Sequence, residues 1–243
     1  MADAYRDDLA YIHDQGFGNV ARNAAVVLIR ELRRGHIAGG LIVDLGCGSG
    51  IVSAGMTAAG FGILGIDISP AMIHLAETRV PAGEFRVGSL LSAKLPPCVA
   101  VAAVGECLNY LFDARNSHAQ LTRLFERIFN ALVPGGLFLC DVAGPGRIPG
   151  AGLAKTHASG EDWAVLVASR EDRRRQLLTR EITSFRKVGE LWRRDDELHR
   201  VRLYTRADVA RHLRDAGFRV RTRRHYGKLA LAPGVHAFLA RKP

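Results

Sequence analysis

The sequence has 243 residues, 48% of them hydrophobic, and a formal net charge of +10. This length and apolar content suffice for one large core, and the lack of any run of about 18 apolar residues excludes a membrane-spanning helix. The four cysteines show no C-x-x-C spacing, which argues against a zinc site or a disulfide framework. Residues 1–8 lack the basic-then-apolar pattern of a signal peptide, so a cytoplasmic location is predicted.

Two helices are the first predicted elements. The spacing of apolar residues predicts a short amphipathic helix over 5–13 and a second helix over 19–34. The first helix carries the aromatic ring of Tyr11 and the titratable imidazole of His13. Both could take part in a ligand site if the helix packs over one.

An apolar strand then leads into a glycine-rich turn. Leu41 to Val43 is followed by Asp44 and by three glycines at alternate positions, and a helix is predicted after Gly50. Glycines here let a ligand approach the main chain closely, and the N–H groups at a helix start favour a negatively charged part of that ligand. The dinucleotide pattern G-x-G-x-x-G fits less well, because it needs a small residue where Ile51 stands.

The second predicted strand, over 62–66, ends in an acid. In a parallel sheet its carboxyl end lies beside the glycine turn, where Asp67 can accept hydrogen bonds from both ribose hydroxyls of a nucleoside. Ser69 suits a helix N-cap and Pro70 the first helical position. Asp67 is therefore predicted to be the ribose ligand.

Strands and helices continue to alternate up to Asp141. Further strands are predicted over 84–87, 99–104 and 137–142, and a helix over 117–132 that is broken by Val133-Pro134-Gly135-Gly136. Such alternation indicates a parallel sheet covered by helices on both faces.

After Asp141 the pattern changes. A Gly/Pro-rich loop is predicted over 144–160, followed by strand-like runs over 163–169, 177–187 and 191–204. The last two are joined by a Gly turn and predict an antiparallel hairpin. The final helix is predicted over 205–216. A sixth strand is predicted to begin at Phe218, and the last strand to run over 235–241.

The order of these elements and the glycine motif resemble class I S-adenosylmethionine (SAM) methyltransferases, whose first motif has the form acid-x-Gly-x-Gly-x-Gly. The resemblance rests on specific motifs over residues 40–142 and on pattern alone over 205–243. It implies an α/β fold: a seven-stranded, mostly parallel Rossmann-like sheet with helices on both faces, an antiparallel last strand, and an antiparallel β insert before the final helix. The expected divisions are cap helices (1–38), a SAM-binding core (39–142), an insert forming the acceptor-site wall (143–204), and the final helix and strands (205–243).

The resemblance also implies the cofactor SAM, with S-adenosylhomocysteine as product. In the family an acid after the third strand commonly bonds the adenine amino group, whereas this chain has Ser89, a neutral and weaker partner. Ile68 and Leu90 are expected to supply apolar contacts to the base. The residues expected to bind the cofactor are Tyr11, Asp44, Gly46, Cys47, Gly48, Gly50, Asp67, Ile68, Met72, Ser89, Leu90 and Glu106.

Three residues are candidates for a general base. Glu106 lies in the loop that the family places near the transferred methyl group, and it could instead bind the cofactor's ammonium group. His199 lies in the insert, and a histidine can titrate near neutral pH; His13 is the third candidate. A sulfonium methyl needs no activation, so in-line alignment of the acceptor is expected to supply most of the catalysis, and no metal is implied.

The sequence therefore predicts methyl transfer to oxygen or nitrogen of a small-molecule acceptor. One alternative is an RNA or protein methyltransferase that uses the basic segment 170–224, where 18 Lys or Arg stand against 9 Asp or Glu. A second alternative is a non-catalytic subunit of the same fold. A solvated arginine-rich surface is the simpler explanation of the basic segment, so nucleic acid is the less favoured partner.

Overall fold

The computed structural model describes residues 4–150 and 152–243. Residues 1–3 lie outside the described residues. They are part of the segment 1–8 whose pattern differs from that of a signal peptide. The helices are α1 (Asp7–Gly16), α2 (Asn19–Arg34), α3 (Ile51–Ala58), α4 (Pro70–Arg79), α5 (His118–Ala131) and α6 (Arg206–Asp215). The strands are β1 (Leu41–Leu45), β2 (Gly62–Asp67), β3 (Glu84–Val87), β4 (Cys98–Ala103), β5 (Leu132–Ala143), β6 (Leu153–Ser159), β7 (Trp163–Asp172), β8 (Leu177–Val188), β9 (Leu191–Arg202), β10 (Arg219–Arg223), β11 (His225–Tyr226), β12 (Leu229–Ala230) and β13 (Val235–Arg241).

Seven strands form the central sheet, in the order β10-β13-β5-β4-β1-β2-β3. Strand β13 runs antiparallel to both of its neighbours, and the other pairs in this sheet are parallel. The predicted seven-stranded sheet with a reversed last strand is confirmed. Because β1 lies between β4 and β2, in the parallel part of the sheet, its carboxyl end opens at the same edge as those of its neighbours.

Helices cover both faces of this sheet, and each face has its own core. On one face α5 and α6 bury Phe125 and Leu213 against Val43 of β1. On the other face α2 and α3 bury Leu28 and Met56. Successive residues of a strand point to opposite faces, so a central strand needs apolar residues at nearly every position.

The insert is a separate sheet of four antiparallel strands in the order β6-β7-β8-β9. Three of these strands match the predicted runs. The fourth, β6, lies within the segment predicted as a loop over 144–160, and this part of the prediction is wrong. Strand β6 pairs with β7 from Leu153 opposite Arg170 to Ser159 opposite Ala164. Its side chains are mostly exposed, so it shows no apolar alternation that would reveal a strand.

Several boundaries differ from prediction. The Pro134-Gly135-Gly136 segment was predicted as a turn, yet it lies inside β5, where the pairing with β4 shifts between Cys98 and Ala100. Helix α1 begins at Asp7, and the short hairpin of β11 and β12 was not predicted. In residues 4–150 and 152–243, no helix combines the length and apolar character needed to cross a membrane.

Candidate active site

A cavity of about 530 Å³ opens at the carboxyl ends of the central parallel strands. The end of the sheet forms its floor, α1 covers it, and the insert sheet forms the opposite wall. Helix α1 is held over the cavity by an apolar cluster in which Leu9 and Ile12 pack on Trp163, Val165 and Ile182 of the insert. Ligand sites commonly occur at such a strand edge, where helices leave in different directions.

The glycine turn lines the cavity with backbone. Gly46 and Gly48 have φ of +65° and +53°, the left-handed region that favours glycine. A Cβ on Gly46 would lie 2.5 Å from Cβ of Cys107, whereas a Cβ on Gly48 would meet only Sδ of Met72, at 4.0 Å. The main chain at Gly48 is therefore open to a ligand, and the turn fits the cradle that a SAM cofactor needs. Cys47 and Met72 also line the cavity.

Gly50 does not line the cavity with the other glycines. It precedes α3 with φ of +78°, and a Cβ there would lie 3.1 Å from Ala76 of α4. This glycine is required by the turn and by helix packing. Its predicted contact with the cofactor therefore stays a prediction that the cavity lining does not support.

A buried carboxylate, Asp44, and a half-buried one, Asp67, lie next to the turn. Asp67 accepts the backbone N–H of Gly48 and of Ser69, each at 2.9 Å, and it lines the cavity. Asp44 accepts the hydroxyl of Ser53 at 2.7 Å, and burial raises its pKa to about 6. Burial also raises the pKa of Asp67, against the effect of its backbone donors. The two donors fix the Asp67 carboxylate next to Gly48, where the ribose was predicted.

The pocket edge near Ser89 contains an acid that the sequence analysis missed. Ser89 donates its hydroxyl to Asp113 at 2.5 Å, and both residues line the cavity. Hydrogen bonds from Arg115, and then from Ser89, hold the pKa of Asp113 well below its usual value. Asp113 follows a turn with no motif, so nothing in the sequence pattern marked it. Ile68 and Leu90 lie in the same lining, as predicted for the base-binding end.

Glu106 is enclosed by two arginines. Its Oε1 accepts Nε of Arg147 at 3.0 Å and its Oε2 accepts Nη2 of Arg180 at 2.7 Å. Burial raises the pKa of Glu106, but Arg180 and Arg147 outweigh it and hold the pKa below its ordinary value. Both carboxylate oxygens are therefore engaged and the group is a weak base. This geometry disfavours Glu106 as the predicted general base.

Asp141 organises the loop that carries Glu106. Its carboxylate accepts the backbone N–H of Gly105 at 3.1 Å and of Glu106 at 2.6 Å, as well as the hydroxyl of Tyr226 at 2.9 Å. Glu106 has φ of +61°, an uncommon value for a non-glycine residue, and these bonds stabilise it. Burial raises the pKa of Asp141 to about 6.

His199 and His13 both line the cavity. His199 is 1% exposed, and its Nε2 lies 2.7 Å from Oε2 of Glu197. The Nδ1 atoms of His199 and His13 are buried and have no hydrogen-bond partner among the described residues. Burial lowers the pKa of His13 to about 4, with a smaller lowering from nearby His199, so His13 is neutral at neutral pH.

Tyr11 lies outside the cavity lining. Its hydroxyl donates to Asp162 at 2.8 Å, and the guanidinium of Arg186 lies 3.8 Å from the ring centroid. The ring packs on the apolar cluster between α1 and the insert, away from the cavity in which the cofactor is predicted to bind. Tyr5, from the segment before α1, takes a position in the lining with Tyr110, and the two hydroxyls are 3.0 Å apart.

The insert contributes residues that were not predicted, above all Arg180 and Glu197. Arg180 and Ile182 both line the cavity, which follows from the two-residue alternation of β8. That alternation was visible in the sequence and could have marked Arg180. Within the described part of the chain, no three His, Cys, Asp or Glu side chains are grouped to hold a metal ion.

Comparison with known proteins adds to this geometry. A family model described as a methyltransferase domain matches residues 42–136. A putative methyltransferase of Bacillus subtilis is 26% identical over 194 residues, 74% of each chain. A probable 18S rRNA (guanine-N(7))-methyltransferase of Dictyostelium discoideum is 31% identical over 107 residues, 40% of this chain and 36% of that protein.

Solved structures share the fold over nearly the whole chain. An S-adenosylmethionine-dependent methyltransferase from Clostridium acetobutylicum superposes with a TM-score of 0.81 at 17% identity, covering 96% of this chain and 97% of that one. A SAM-bound amino pentose methyltransferase from Micromonospora echinaspora gives a TM-score of 0.77 at 18% identity, covering 96% of each chain. The likeness includes the insert as well as the central sheet.

Proposed function

The chain is a SAM-dependent methyltransferase of class I, and we propose that it transfers the methyl group to a nitrogen or oxygen atom of a small-molecule acceptor. The supporting observation is a single cavity that extends from the glycine turn to Val165, Val167 and Ile182 of the insert sheet. Its volume of about 530 Å³ lies within the range of small-ligand sites. Small molecules are also the substrates named for the amino pentose methyltransferase that shares the fold.

We divide the chain by the part that each segment plays at this cavity. Residues 39–142 would hold the cofactor, and the insert over 143–204 would form the wall of the acceptor pocket. Helices α1 and α2, within 1–38, would cover the site, and residues 205–243 complete the sheet. The four segments share cores and contacts, which favours one domain over two.

The cofactor site proposed here uses backbone at Gly46, Cys47 and Gly48 and the carboxylate of Asp67 for the ribose. Bound SAM supplies a methyl group on a positively charged sulfur. Carboxylates outnumber guanidinium groups in the cavity wall, which favours a cationic ligand. The acids in the lining are Asp44, Asp67, Glu106, Asp113 and Asp141, against Arg147 and Arg180. At the base-binding end, the proposed contacts are Ile68, Met72, Ser89 and Leu90.

For catalysis we propose that the residues around the cavity orient the acceptor and that His199 takes its proton. Orientation of two reacting groups can supply about 7–11 kcal/mol. A general base typically adds about 10²–10⁴-fold, and the unpartnered Nδ1 of His199 is a suitable acceptor. His13, neutral at neutral pH, is the second candidate.

The first test is binding of S-adenosylhomocysteine, measured by calorimetry on the wild type and on Asp67→Ala. Removing the ribose ligand is expected to weaken binding by about tenfold or more, because hydrogen bonds to a charged group are among the stronger ones. Asp215→Ala removes an exposed acid on α6 and should bind like the wild type. Absence of binding to the wild type would overturn the proposed function.

A second measurement addresses the acceptor. Release of S-adenosylhomocysteine from SAM would be followed with panels of small amines, alcohols and carboxylic acids, and with transcribed RNA. The rRNA methyltransferase relative and the basic segment 170–224 give the RNA alternative its support. Several arginines of that segment are paired with acids, namely Arg180, Arg186, Arg193 and Arg223. Salt-sensitive turnover with RNA alone would favour the alternative, and cofactor binding without any turnover would favour a non-catalytic subunit.

We also propose a cytoplasmic location. The four cysteines, Cys47, Cys98, Cys107 and Cys140, are unpaired thiols, three of them buried, as suits a reducing compartment. Fractionation of the producing cells would test this proposal.

A further inference from the structure

The carboxylate of Glu197 is shared between His199 and a short segment of chain that precedes α1. Its Oε2 accepts Nε2 of His199 at 2.7 Å and the backbone N–H of Tyr5 at 2.9 Å, while its Oε1 accepts the backbone N–H of Arg6 at 2.8 Å. Glu197 is 7% exposed. A buried carboxylate with three donors is held in one orientation.

This arrangement determines which nitrogen of His199 carries the proton. A carboxylate only accepts, so the nitrogen facing it must be the donor and Nε2 is protonated. In the neutral ring Nδ1 is then a bare acceptor. That atom is buried without a partner among the described residues, and His199 lines the cavity. An unsatisfied buried acceptor costs stability unless a ligand supplies the missing donor.

The segment formed by residues 4–6, called the strap below, connects the insert to the cofactor side. The carbonyl of Tyr5 accepts the hydroxyl of Ser69 at 2.8 Å, and Ser69 itself donates its backbone N–H to Asp67. Tyr5 has φ of +48° and a ring centroid 4.9 Å from that of His199. The strap therefore closes one side of the cavity while its amides anchor Glu197.

We propose that Glu197 is a positioning residue: anchored by the strap, it holds His199 with Nε2 protonated and Nδ1 directed at the acceptor. The inference rests on the proposed function, because it assigns the proton taken by Nδ1 to the acceptor that is methylated. A pair kept only for the stability of β9 would leave no reason for an unpartnered Nδ1 on a side chain that lines the cavity. Charged and titratable neighbours of the ring are Glu197 on β9, Arg180 opposite on β8, His13 on α1, and Tyr5 and Tyr110.

The test is nitrogen NMR of the histidine rings and of the strap amides in the full chain, with S-adenosylhomocysteine present. Signals of His199 are assigned by their loss in His199→Gln. In the wild type we expect a proton on Nε2 and a pyridine-type Nδ1. In Glu197→Gln we expect loss of this single tautomer, and exchange of the Tyr5 and Arg6 amides that is roughly ten- to a hundredfold faster, because their charged acceptor is gone.

Asp195→Asn is the matched control. Asp195 lies on the same strand and binds the strap through the Arg6 side chain, with Nε at 2.9 Å and Nη2 at 2.6 Å. Within the described part of the chain, the hydrogen bond of His199 Nε2 goes to Glu197 and not to Asp195. This variant should keep the wild-type tautomer. A similar loss in Asp195→Asn, or an unchanged tautomer in Glu197→Gln, would overturn the role of Glu197.

The wild-type spectrum alone tests whether His199 carries its proton on Nε2. A proton on Nδ1 would overturn the proposal whether or not any variant folds. Calorimetry with S-adenosylhomocysteine on the same samples separates this inference from the proposed function. Normal binding with the wrong tautomer would reject Glu197 as a positioning residue and leave the methyltransferase assignment intact. The expected tautomer without any binding of S-adenosylhomocysteine would reject the proposed function and leave the effect of Glu197 on the His199 ring intact.

Discussion

At the scale of single residues, Glu106 shows how neighbours decide what a carboxylate can do. Its position after β4 suits a general base, yet Arg147 and Arg180 occupy both of its oxygens. The two guanidinium groups are themselves largely buried, and Glu106 neutralises part of their charge. We therefore regard Glu106 as the group that allows two cations to stand in the cavity wall.

Glu106→Gln should therefore unfold more easily than the wild type. Removing one partner of a buried ion pair leaves uncompensated charge, and we expect the free energy of unfolding to fall by about 3 kcal/mol. Urea unfolding of the variant and of Glu190→Gln, which changes an exposed acid in the β8–β9 turn, would measure it. If Glu106 were the base, turnover would be lost in Glu106→Gln at unchanged stability.

The residue scale also shows what the sequence could and could not predict at the site. Gly46, Gly48 and Asp67 were located by a motif, since their backbone and spacing requirements are local. No motif identifies Glu197 or Asp113. The strap residues that bind Glu197 lie far from it in the chain, and Asp113 lies in an irregular turn. Tyr11 lies outside the cavity lining for a geometric reason: helix spacing identifies a face but does not say which way the helix is rotated over its neighbour.

At the scale of elements, α1 depends on the insert for its position. Leu9 and Ile12 pack on insert residues, and Asp8 is buried in ion pairs with Arg186 and Arg193 of β8 and β9. A ten-residue helix is too short to be stable alone in water. Its place over the cavity is therefore a consequence of tertiary packing.

We expect Ile12→Ala to release α1 from the insert. Truncating a fully buried Ile costs about 2–5 kcal/mol, and the loss should appear as faster amide hydrogen exchange in α1 and weaker binding of S-adenosylhomocysteine. Gln15→Ala, on the exposed side of the same helix, is the control and should exchange like the wild type. Equal protection of α1 in both variants would show that another contact holds the helix.

The central elements were predictable because their signals are local and repeated. Apolar strands, an N-cap at Ser69 and the Gly-rich turn follow from short stretches of chain. Strand β6 was missed because both its composition and its exposure resemble those of a loop, and its strand character comes from pairing with β7. The continuation of β5 through Pro134-Gly135-Gly136 likewise depends on a partner strand.

At the scale of the whole molecule, the buried acids make stability depend on pH. The pKa of Asp141 is raised by burial to about 6, from an ordinary value of 3.8. Between those values the folded state binds a proton that the unfolded chain does not, so the free energy of unfolding decreases as pH rises through this window. Asp44, whose pKa burial also raises to about 6, acts in the same direction.

Asp141→Asn should therefore flatten this dependence. The amide can still accept the N–H of Glu106 and bond to Tyr226, but it does not titrate. We expect the change in unfolding free energy across the window to be smaller by on the order of 1–3 kcal/mol. Urea unfolding at several pH values, with Asp215→Asn as an exposed control, would measure it, and identical slopes for the three proteins would contradict the assignment.

The strap and its anchor lie 192 positions apart in the chain. During synthesis the amides of Tyr5 and Arg6 leave the ribosome long before Glu197 exists. At a synthesis rate of about 5–20 residues per second, that interval lasts roughly 10–40 s. Strands β1–β5 of the central sheet are made in this interval, whereas β10 and β13 follow β9, and the cavity cannot close until β9 has been made. A nascent chain therefore contains the residues proposed to bind the cofactor well before it contains the residue proposed to take the proton.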